Sequence, residues 1–366
     1  MILKSPYPWF GGKRRVAQLV WGAFGEVSNY VEPFFGSGAV LLARPDFDAE
    51  KLLTETVNDA DGFVSNFWRA LQADPDAVAH WCDWPVNECD LYARHGWLVN
   101  RRQRLTWSME DPDFYDAKTA GWWVWGIASW IGSGWCSGEG PWVSNGAHIA
   151  KSGDAAQGIK RNRPHLGDAG QGINRKLPHL GDAGRGINRK LPHLGDAGRG
   201  INRTLPHLGN AGRGELLSDY LWALAERMRG VRVVCGDWSR VTGESVTENH
   251  GTTAIFLDPP YSAEAGRDMA VYAVDCGAVA HDVRAWCEAN TGNPLLRIVL
   301  CGYEGEHDMP GWRCVEWKAN GGYGNQADKV GRANAAKERL WLSPSCIDPK
   351  QKRQNAFAFE TQEANS

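Results

Sequence analysis

The feature that most constrains the fold is an apolar stretch that runs directly into an acid, two prolines and a tyrosine. Residues 254–257 are Ala-Ile-Phe-Leu, and residues 258–261 are Asp-Pro-Pro-Tyr. A short apolar run bounded in this way is typical of a buried strand in a parallel sheet, and proline cannot continue the hydrogen-bond ladder of a central strand. The pattern therefore predicts an α/β fold with Asp258 at the carboxyl edge of the sheet, where open α/β folds bind ligands.

The chemistry of the Asp-Pro-Pro-Tyr segment suits a flat amine. Pro259 and Pro260 each fix φ, so the Asp258 carboxylate and the Pro259 carbonyl can face one point and accept both protons of one NH2 group. Tyr261 can offer a ring face to a planar base, and such stacking is worth about 1 to 3 kcal/mol. The alternative that these residues leave open is a rigid strand-end turn with no ligand.

A turn of small residues in the N-terminal part of the chain indicates a second ligand contact. Residues 30–42 predict a strand, a turn through Gly36 and Gly38, and a helix that continues through Leu42. The glycines allow a ligand to come close, and the unpaired N–H groups of a helix N-terminus suit an anion such as an amino-acid carboxylate. Asp59 follows about twenty residues later, where a Rossmann-like sheet binds ribose hydroxyls. A tight turn without a ligand is the alternative.

In these segments and their order, the chain resembles the Dam-type DNA adenine methyltransferases (D12 class, alpha group). The resemblance covers residues 6–70 and 215–345, with the target-recognition segment between them. The motifs are the W-x-G-G-K element at residues 9–13, the E-P-F-x-G-x-G loop at 32–38, the D-x-N motif at 59–61, the segment beside the donor's adenine at 236–238, and D-P-P-Y at 258–261. Asp61 stands where the family's D-x-N motif has Asn.

The resemblance implies a Rossmann-like S-adenosylmethionine-dependent methyltransferase sheet with an inserted target-recognition region. It implies methyl transfer from S-adenosylmethionine to the N6 amine of an adenine flipped out of double-stranded DNA, with no metal. The residues implied to bind the donor are Trp9, Lys13, Glu32, Pro33, Phe34, Gly36, Gly38, Asp59, Asp237 and Asp258. Those implied to act on the target amine are Asp258, Pro259, Pro260 and Tyr261.

Two other functions remain open at this point. Cytosine-N4 methyltransferases use a closely similar tetrapeptide, although the element at residues 9–13 and the motif order favour adenine. A DNA-binding protein that keeps the donor fold without catalysis is the second alternative.

The domain organisation follows from where the motifs lie. Residues 1–74 are expected to form the donor-binding part of the catalytic domain, and residues 75–214 the inserted target-recognition region. Residues 215–345 complete the catalytic domain, and residues 346–366 form a polar tail. Further elements are predicted as strands at residues 231–235 and 295–301, helices at 88–104 and 281–290, and a closing hairpin made by 312–317 and 338–344.

Basic residues in the inserted region are candidates for contact with DNA phosphates. Residues 158–213 form four copies of a 14-residue unit with 11 Lys or Arg against three Asp, a net charge of +8 in a chain whose formal charge is −3. The recurring Arg175, Arg189 and Arg203 predict repeated contacts, whereas a duplicated, solvated loop is the alternative. The basic run Arg101, Arg102 and Arg104 suggests another phosphate contact or a solvated helix end.

Composition indicates a reduced protein without a membrane span. The nine cysteines show no metal-ligand spacing, and no stretch approaches the roughly 20 apolar residues of a transmembrane helix. The N-terminus does not resemble a signal peptide. We therefore expect a cytoplasmic protein of a bacterial cell or a phage-infected host, with a monomer as the working assumption. A phage or prophage origin is compatible with the resemblance. The recognised DNA word and a link to a restriction enzyme are not readable from the sequence.

Overall fold

The computed structural model describes residues 3–9, 11–45, 47, 53–130, 135–136, 142–144, 149–151, 215–261, 278–317 and 337–348. The predicted DNA contacts of Arg175, Arg189 and Arg203 lie outside these residues, together with all four repeats and most of the predicted polar tail.

A seven-stranded sheet forms the centre of the protein, and a separate two-stranded pair lies in the inserted region. The strands are β1 Asn29–Glu32, β2 Thr54–Asp59, β3 Trp142–Ser144, β4 Ile149–Lys151, β5 Val231–Cys235, β6 Thr253–Leu257, β7 Leu296–Tyr303, β8 Arg313–Glu316 and β9 Glu338–Leu342. The order in the large sheet is β5-β2-β1-β6-β7-β9-β8. The first five of these strands are parallel to one another, whereas β9 is antiparallel to β7 and to β8.

The strand order reverses beside β1, which lies between β2 and β6. Chain segments after β1 and β6 therefore leave the same edge of the sheet on either side of a topological switch point, the usual ligand site of an open α/β fold. Glu32 ends β1 and Leu257 ends β6, so the loop at residues 33–38 and the Asp-Pro-Pro-Tyr segment meet at this edge. The predicted α/β methyltransferase-like sheet is confirmed.

Nine helices cover the sheet or extend from it in the part of the chain that the structure describes. They are α1 Ala17–Phe24, α2 Gly62–Ala73, α3 Pro75–Cys82, α4 Glu88–Val99, α5 Arg102–Ser108, α6 Ala117–Ser129, α7 Glu215–Met228, α8 Glu244–Thr247 and α9 Val279–Ala289. None of these helices is both long and apolar enough to cross a membrane.

The two faces of the sheet pack against different hydrophobic clusters. In β6, Ala254 and Phe256 belong to one cluster, and Ile255 and Leu257 to the other. All five residues of β6 are buried. Because successive side chains of a strand point to opposite faces, a strand covered on both faces is apolar at every position. This burial explains the continuous apolar run that precedes Asp258.

The helices of residues 75–129 share the larger of these clusters with α2 and α7. Trp123 and Trp125 of α6 are both buried within it, and α6 packs against α2 and α3. The N-terminal part of the predicted target-recognition region thus packs against α2 and α7 of the predicted catalytic domain, and the division of the chain into domains stays a prediction.

Two helix predictions were wrong in detail. The helix expected after Gly38 is only a 3-10 turn at Leu41–Ala43. The reason is Pro45, because a residue that precedes proline is disfavoured in the α conformation, and Arg44 has ψ 120°. The helix expected over residues 88–104 is two helices, since α4 ends at Val99 and α5 starts at Arg102. The strands and the closing hairpin are confirmed, and α9 covers residues 281–289 of the helix predicted at 281–290.

Candidate active site

Four polar side chains meet at the end of β6 in what we term the acid–lysine cluster: Lys13, Asp258, Tyr261 and Glu338. The Lys13 Nζ lies 2.9 Å from Asp258 Oδ1 and 3.8 Å from Glu338 Oε2. The Tyr261 hydroxyl donates to Glu338 Oε2 over 2.8 Å. The side chains of Lys13 and Glu338 are 4% and 5% exposed, and that of Asp258 is 18% exposed. Asp258 is therefore the more accessible acid of a mostly buried network.

The charge of Lys13 is stabilised by its surroundings. Burial lowers the pKa of its ammonium group, but the facing carboxylates of Asp258 and Glu338 raise the pKa by more, and the net change is upward. Its backbone position is set by a 3-10 turn at Lys13–Arg15, which follows Gly11 in the left-handed region at φ 68°. Lys13 thus keeps Asp258 paired with a cation at neutral pH.

Tyr261 contributes its hydroxyl to this cluster and is itself buried. Its ring meets Tyr303 edge to face, with 4.6 Å between centroids. Burial is the largest of the influences that raise the pKa of the Tyr261 hydroxyl well above its ordinary value, followed by the charges of Asp258 and Glu338. Within the described residues, the hydrogen bonds of Tyr261 are those of its hydroxyl, to Lys13, Asp258 and Glu338. Stacking of a base on its ring stays a prediction.

The loop after β1 is built around glycines in conformations that other residues rarely adopt. Gly36 has φ 48° and Gly38 has φ 68°. A side chain at Gly36 would collide with the indole of Trp9, and a Cβ atom at Gly38 would lie 2.8 Å from the ring of Phe35. The Gly36 carbonyl accepts hydrogen bonds from the Tyr7 hydroxyl at 2.7 Å and from the indole N–H of Trp68 at 3.1 Å. The loop is therefore held closely against Tyr7, Trp9 and Trp68.

Asp59, the predicted ribose-binding acid, ties this loop to the end of β2. Its Oδ2 accepts from the Gly36 N–H and its Oδ1 from the Asp61 N–H, both over 2.9 Å. Burial raises the pKa of the Asp59 carboxyl to about 7, although these two N–H groups lower it. Asp61 in turn caps the N-terminus of α2 by accepting from the Phe63 N–H.

Asn58 is a site residue that the sequence motifs did not single out. Its amide group donates to the carbonyls of Pro33 and Gly236, each over 3.0 Å, and so joins the ends of β1 and β5 through β2. Its Oδ1 is buried and has no hydrogen-bond partner within the described parts of the chain. Its position next to Asp59, at the carboxyl end of a central strand, is the feature of the sequence that could have indicated it.

The remaining predicted donor residues lie at the ends of β1 and β5. Glu32 is buried and accepts from the Tyr30 hydroxyl over 2.7 Å, and burial raises the pKa of its carboxyl. Phe34 stacks on Trp238 with 6.4 Å between ring centroids. Asp237 is exposed and accepts from the Ser239 N–H. Pro33 is buried between these elements.

The basic run of the inserted region divides into bound and exposed side chains. The Arg102 guanidinium lies 3.6 Å from Asp61 Oδ2, packs over the Phe63 ring and donates to the Cys136 carbonyl. Arg101 is exposed and lies over the ring of Trp97 at 3.8 Å, and Arg104 is exposed as well. Arg102 thus links α5 to the N-terminus of α2. Contact of the three arginines with DNA stays a prediction.

Metal ligands were not expected, and the described residues contain no group of three or more His, Cys, Asp or Glu side chains that could hold a metal ion. The eight cysteines in the described ranges are free thiols.

Comparison with known proteins gives one match. Residues 9–95 match the model of the family described as D12 class N6 adenine-specific DNA methyltransferase. The matched stretch is about a quarter of the chain and includes Trp9, Lys13, the loop at residues 32–38 and Asp59. No curated protein matches the chain. This similarity over residues 9–95, with the seven-stranded α/β sheet, supports adenine-N6 methylation of DNA as the activity of the chain.

Proposed function

We propose that Asp258 accepts a hydrogen bond from the N6 amine of an adenine that has been flipped out of duplex DNA. The observation that supports this most directly is the position of Asp258 at the switch-point edge, where it is the more exposed acid of the acid–lysine cluster. An amine inside a duplex is covered by its neighbouring base pairs, so the base has to leave the stack before methyl transfer.

The acceptors at this edge would activate the amine by orienting its protons. An aryl amine is a poor nucleophile because its lone pair is conjugated with the ring. Hydrogen bonds from its protons to the Asp258 carboxylate and the Pro259 carbonyl would draw the lone pair out of conjugation. Lys13 holds the carboxylate in position through the 2.9 Å ion pair. The rate acceleration then comes from positioning and preorganised charge.

The loop after β1 and the ends of β2 and β5 fit S-adenosylmethionine in three respects. Gly36 and Gly38, both at positive φ, let the loop turn sharply at the switch-point edge, where open α/β folds bind ligands. Asp59 offers carboxylate oxygens to ribose hydroxyls, and the rings of Phe34 and Trp238 lie at the edge where an adenine ring could pack. When bound, the donor supplies an electrophilic methyl group. We propose that the donor residues named from the family resemblance, together with Asn58, hold it there.

We propose that duplex DNA is bound mainly by the inserted region at residues 75–214. Arg101 and Arg104 are exposed on or beside α5 and can reach phosphates without breaking an internal ion pair. Arg102 would first have to leave Asp61. A DNA substrate also supports the expectation that the enzyme works in the cytoplasm of a bacterial cell or a phage-infected host.

Substitution of Asp258 by alanine tests the proposed chemistry. Cells that express the wild-type chain should accumulate N6-methyladenine in a recurring DNA word, and cells that express Asp258→Ala should not. The purified variant should keep part of its affinity for S-adenosylmethionine, because Asp59 and the glycine loop are unchanged while the donor contact of Asp258 is lost. Sequencing of the DNA at single-nucleotide resolution measures both modified bases. N4-methylcytosine in place of methyladenine, or methylation that persists in the variant, would refute the assignment.

A further inference from the structure

We propose that Glu338 is a positioning residue for methyl transfer: it accepts the hydrogen bond of the Tyr261 hydroxyl and so keeps that hydroxyl from donating to Asp258. The inference rests on the proposed role of Asp258 as the acceptor for the target amine. Glu338 belongs to none of the motifs that mark the site in the sequence. The sequence predicts it only as the first residue of the second strand in the closing hairpin.

The placement of Glu338 is unusual for a residue whose task is only to form a strand. It is the first residue of β9 and pairs with Tyr303 of β7. Its side chain is 5% exposed, and burial raises the pKa of its carboxyl while the charge of Lys13 lowers it. A buried carboxylate is unfavourable unless it is paired and hydrogen-bonded. The partners that stabilise this one, Lys13 and Tyr261, both belong to the acid–lysine cluster.

The donors of Lys13 determine how the Tyr261 hydroxyl must point. An ammonium group has three N–H donors. Those of Lys13 face the Gly11 carbonyl at 2.9 Å, the Tyr261 hydroxyl oxygen at 3.0 Å and Asp258 Oδ1 at 2.9 Å. The Tyr261 oxygen therefore accepts from Lys13, and its single proton must be donated to another group.

Two acceptors compete for the Tyr261 proton. Glu338 Oε2 lies 2.8 Å from the hydroxyl oxygen, and Asp258 Oδ1 lies 3.3 Å from it. The shorter contact is the stronger hydrogen bond, so the Tyr261 hydroxyl donates to Glu338. Without an acceptor at residue 338, the hydroxyl would turn to Asp258 Oδ1, which already accepts from Lys13. A carboxylate oxygen with two donors is a weaker acceptor for the target amine.

The decisive test combines a non-accepting residue at 338 with removal of the hydroxyl. Met is unbranched and close to Glu in length, so Glu338→Met removes the acceptor with little change of shape. Single-turnover methyl transfer should slow by about 10- to 100-fold, the factor that one hydrogen bond to a charged group is worth. The double variant Glu338→Met with Tyr261→Phe should recover at least about tenfold over Glu338→Met, because no hydroxyl is left to turn toward Asp258. Affinity for S-adenosylmethionine, measured by calorimetry, should change by less than about threefold in both variants.

A matched control separates the acceptor from the charge. Glu338→Gln keeps the shape and an acceptor oxygen, so its rate should stay within about fivefold of wild type. A Gln variant as slow as expected for Met would overturn the proposal even if the Met variant did not fold. So would a double variant slower than Glu338→Met, or a loss of donor affinity that parallels the loss of rate. A wild-type chain without methyl transfer would overturn the proposed function as well, whereas an active wild type with an equally active Met variant would overturn the Glu338 proposal alone.

Discussion

Two acids at the ends of β2 and β6, the strands on either side of β1, have different surroundings, which suit them to different tasks. Asp258 faces the ammonium group of Lys13, with 2.9 Å between Oδ1 and Nζ. Asp59 accepts from the N–H groups of Gly36 and Asp61, and burial outweighs these hydrogen bonds and raises the pKa of its carboxyl to about 7. Donor binding should consequently depend on pH through Asp59.

The affinity for S-adenosylmethionine is expected to fall as the pH is lowered through about 7. Only the ionised Asp59 offers full acceptor strength to ribose hydroxyls, and its pKa of about 7 puts the loss of the carboxylate near neutral pH. Below that value the dissociation constant should rise by up to about tenfold per pH unit. Calorimetric titrations between about pH 5.5 and pH 8.5 would measure this change.

The control for this dependence is Asp59→Asn, which is neutral throughout the range. It should bind the donor weakly and with little variation between the two ends of the titration. A wild-type affinity that does not change with pH, or an equal slope in the Asn variant, would contradict the role of Asp59. The same raised pKa has an opposite effect on folding, because the folded state holds this proton more tightly than the unfolded chain. The free energy of unfolding therefore decreases as the pH rises from about 4 to about 7.

At the scale of elements, a buried ion network joins the chain before the insertion to the chain after it. Glu55 of β2 accepts from Arg44 at 2.8 Å and from Arg227 of α7 at 2.7 Å and 2.9 Å. The three side chains are 5% to 7% exposed. Arg44 also donates to the Val27 carbonyl, and Arg227 to the Leu41 carbonyl beside the glycine loop. The network thus fixes α7, the first helix after the repeats, against the donor half.

Substitution of Glu55 by alanine should lower the free energy of unfolding by about 3 to 5 kcal/mol, because it leaves two buried guanidinium groups without their counter-ion. Chemical denaturation of the purified protein measures the change. The matched control is Glu226→Ala, which removes an exposed ion pair between α7 and Arg229, the residue after it, and should change stability by less than about 1 kcal/mol. Equal effects of the two substitutions would show that Glu55 does not hold the halves together.

At the scale of the whole molecule, the sheet is assembled from two chain segments separated by the inserted region. Strands β1 and β2 come before the insertion, and β5 to β9 come after it. In the sheet, β5 pairs with β2, and β6 pairs with β1. The basic repeats at residues 158–213 therefore interrupt one folding unit, and they can be altered without removing any strand of the catalytic sheet.

Replacement of residues 158–213 by a Gly-Ser linker of equal length tests whether the repeats contact DNA. If Arg175, Arg189 and Arg203 each neutralise a phosphate, the slope of log affinity against log salt should decrease in magnitude by about 3, since each phosphate contact contributes roughly 0.9. Binding to duplex DNA at several salt concentrations measures the slope, and donor affinity serves as the folding control. An unchanged slope would favour the solvated loop over the DNA contact.

The local sequence was sufficient to predict elements whose determinants are neighbours in the chain. The strand before Asp258, the strand at residues 231–235 and the closing hairpin are examples, because burial on both faces or antiparallel pairing is encoded in short apolar patterns. The helix expected after Gly38 was wrong because a proline a few residues away outweighed the apolar pattern. The motifs at residues 9–13, 32–38 and 59–61 also led to the family, since each is a compact run of residues.

By itself, then, the sequence determined the fold class, the resemblance to the D12 class and the acid that follows β6. The tertiary structure alone decided that Glu338 and Asn58 join the site, and which contacts link Lys13 and Tyr261 to that acid. Tyr261 is separated from Lys13 by 248 residues and from Glu338 by 77, so no local sequence pattern predicts these hydrogen bonds. The same holds for the bridge that Asn58 makes to Gly236, 178 residues away. The physical reason is that parallel strands bring distant segments to one edge of the sheet, and the register of those strands determines which polar side chains meet there.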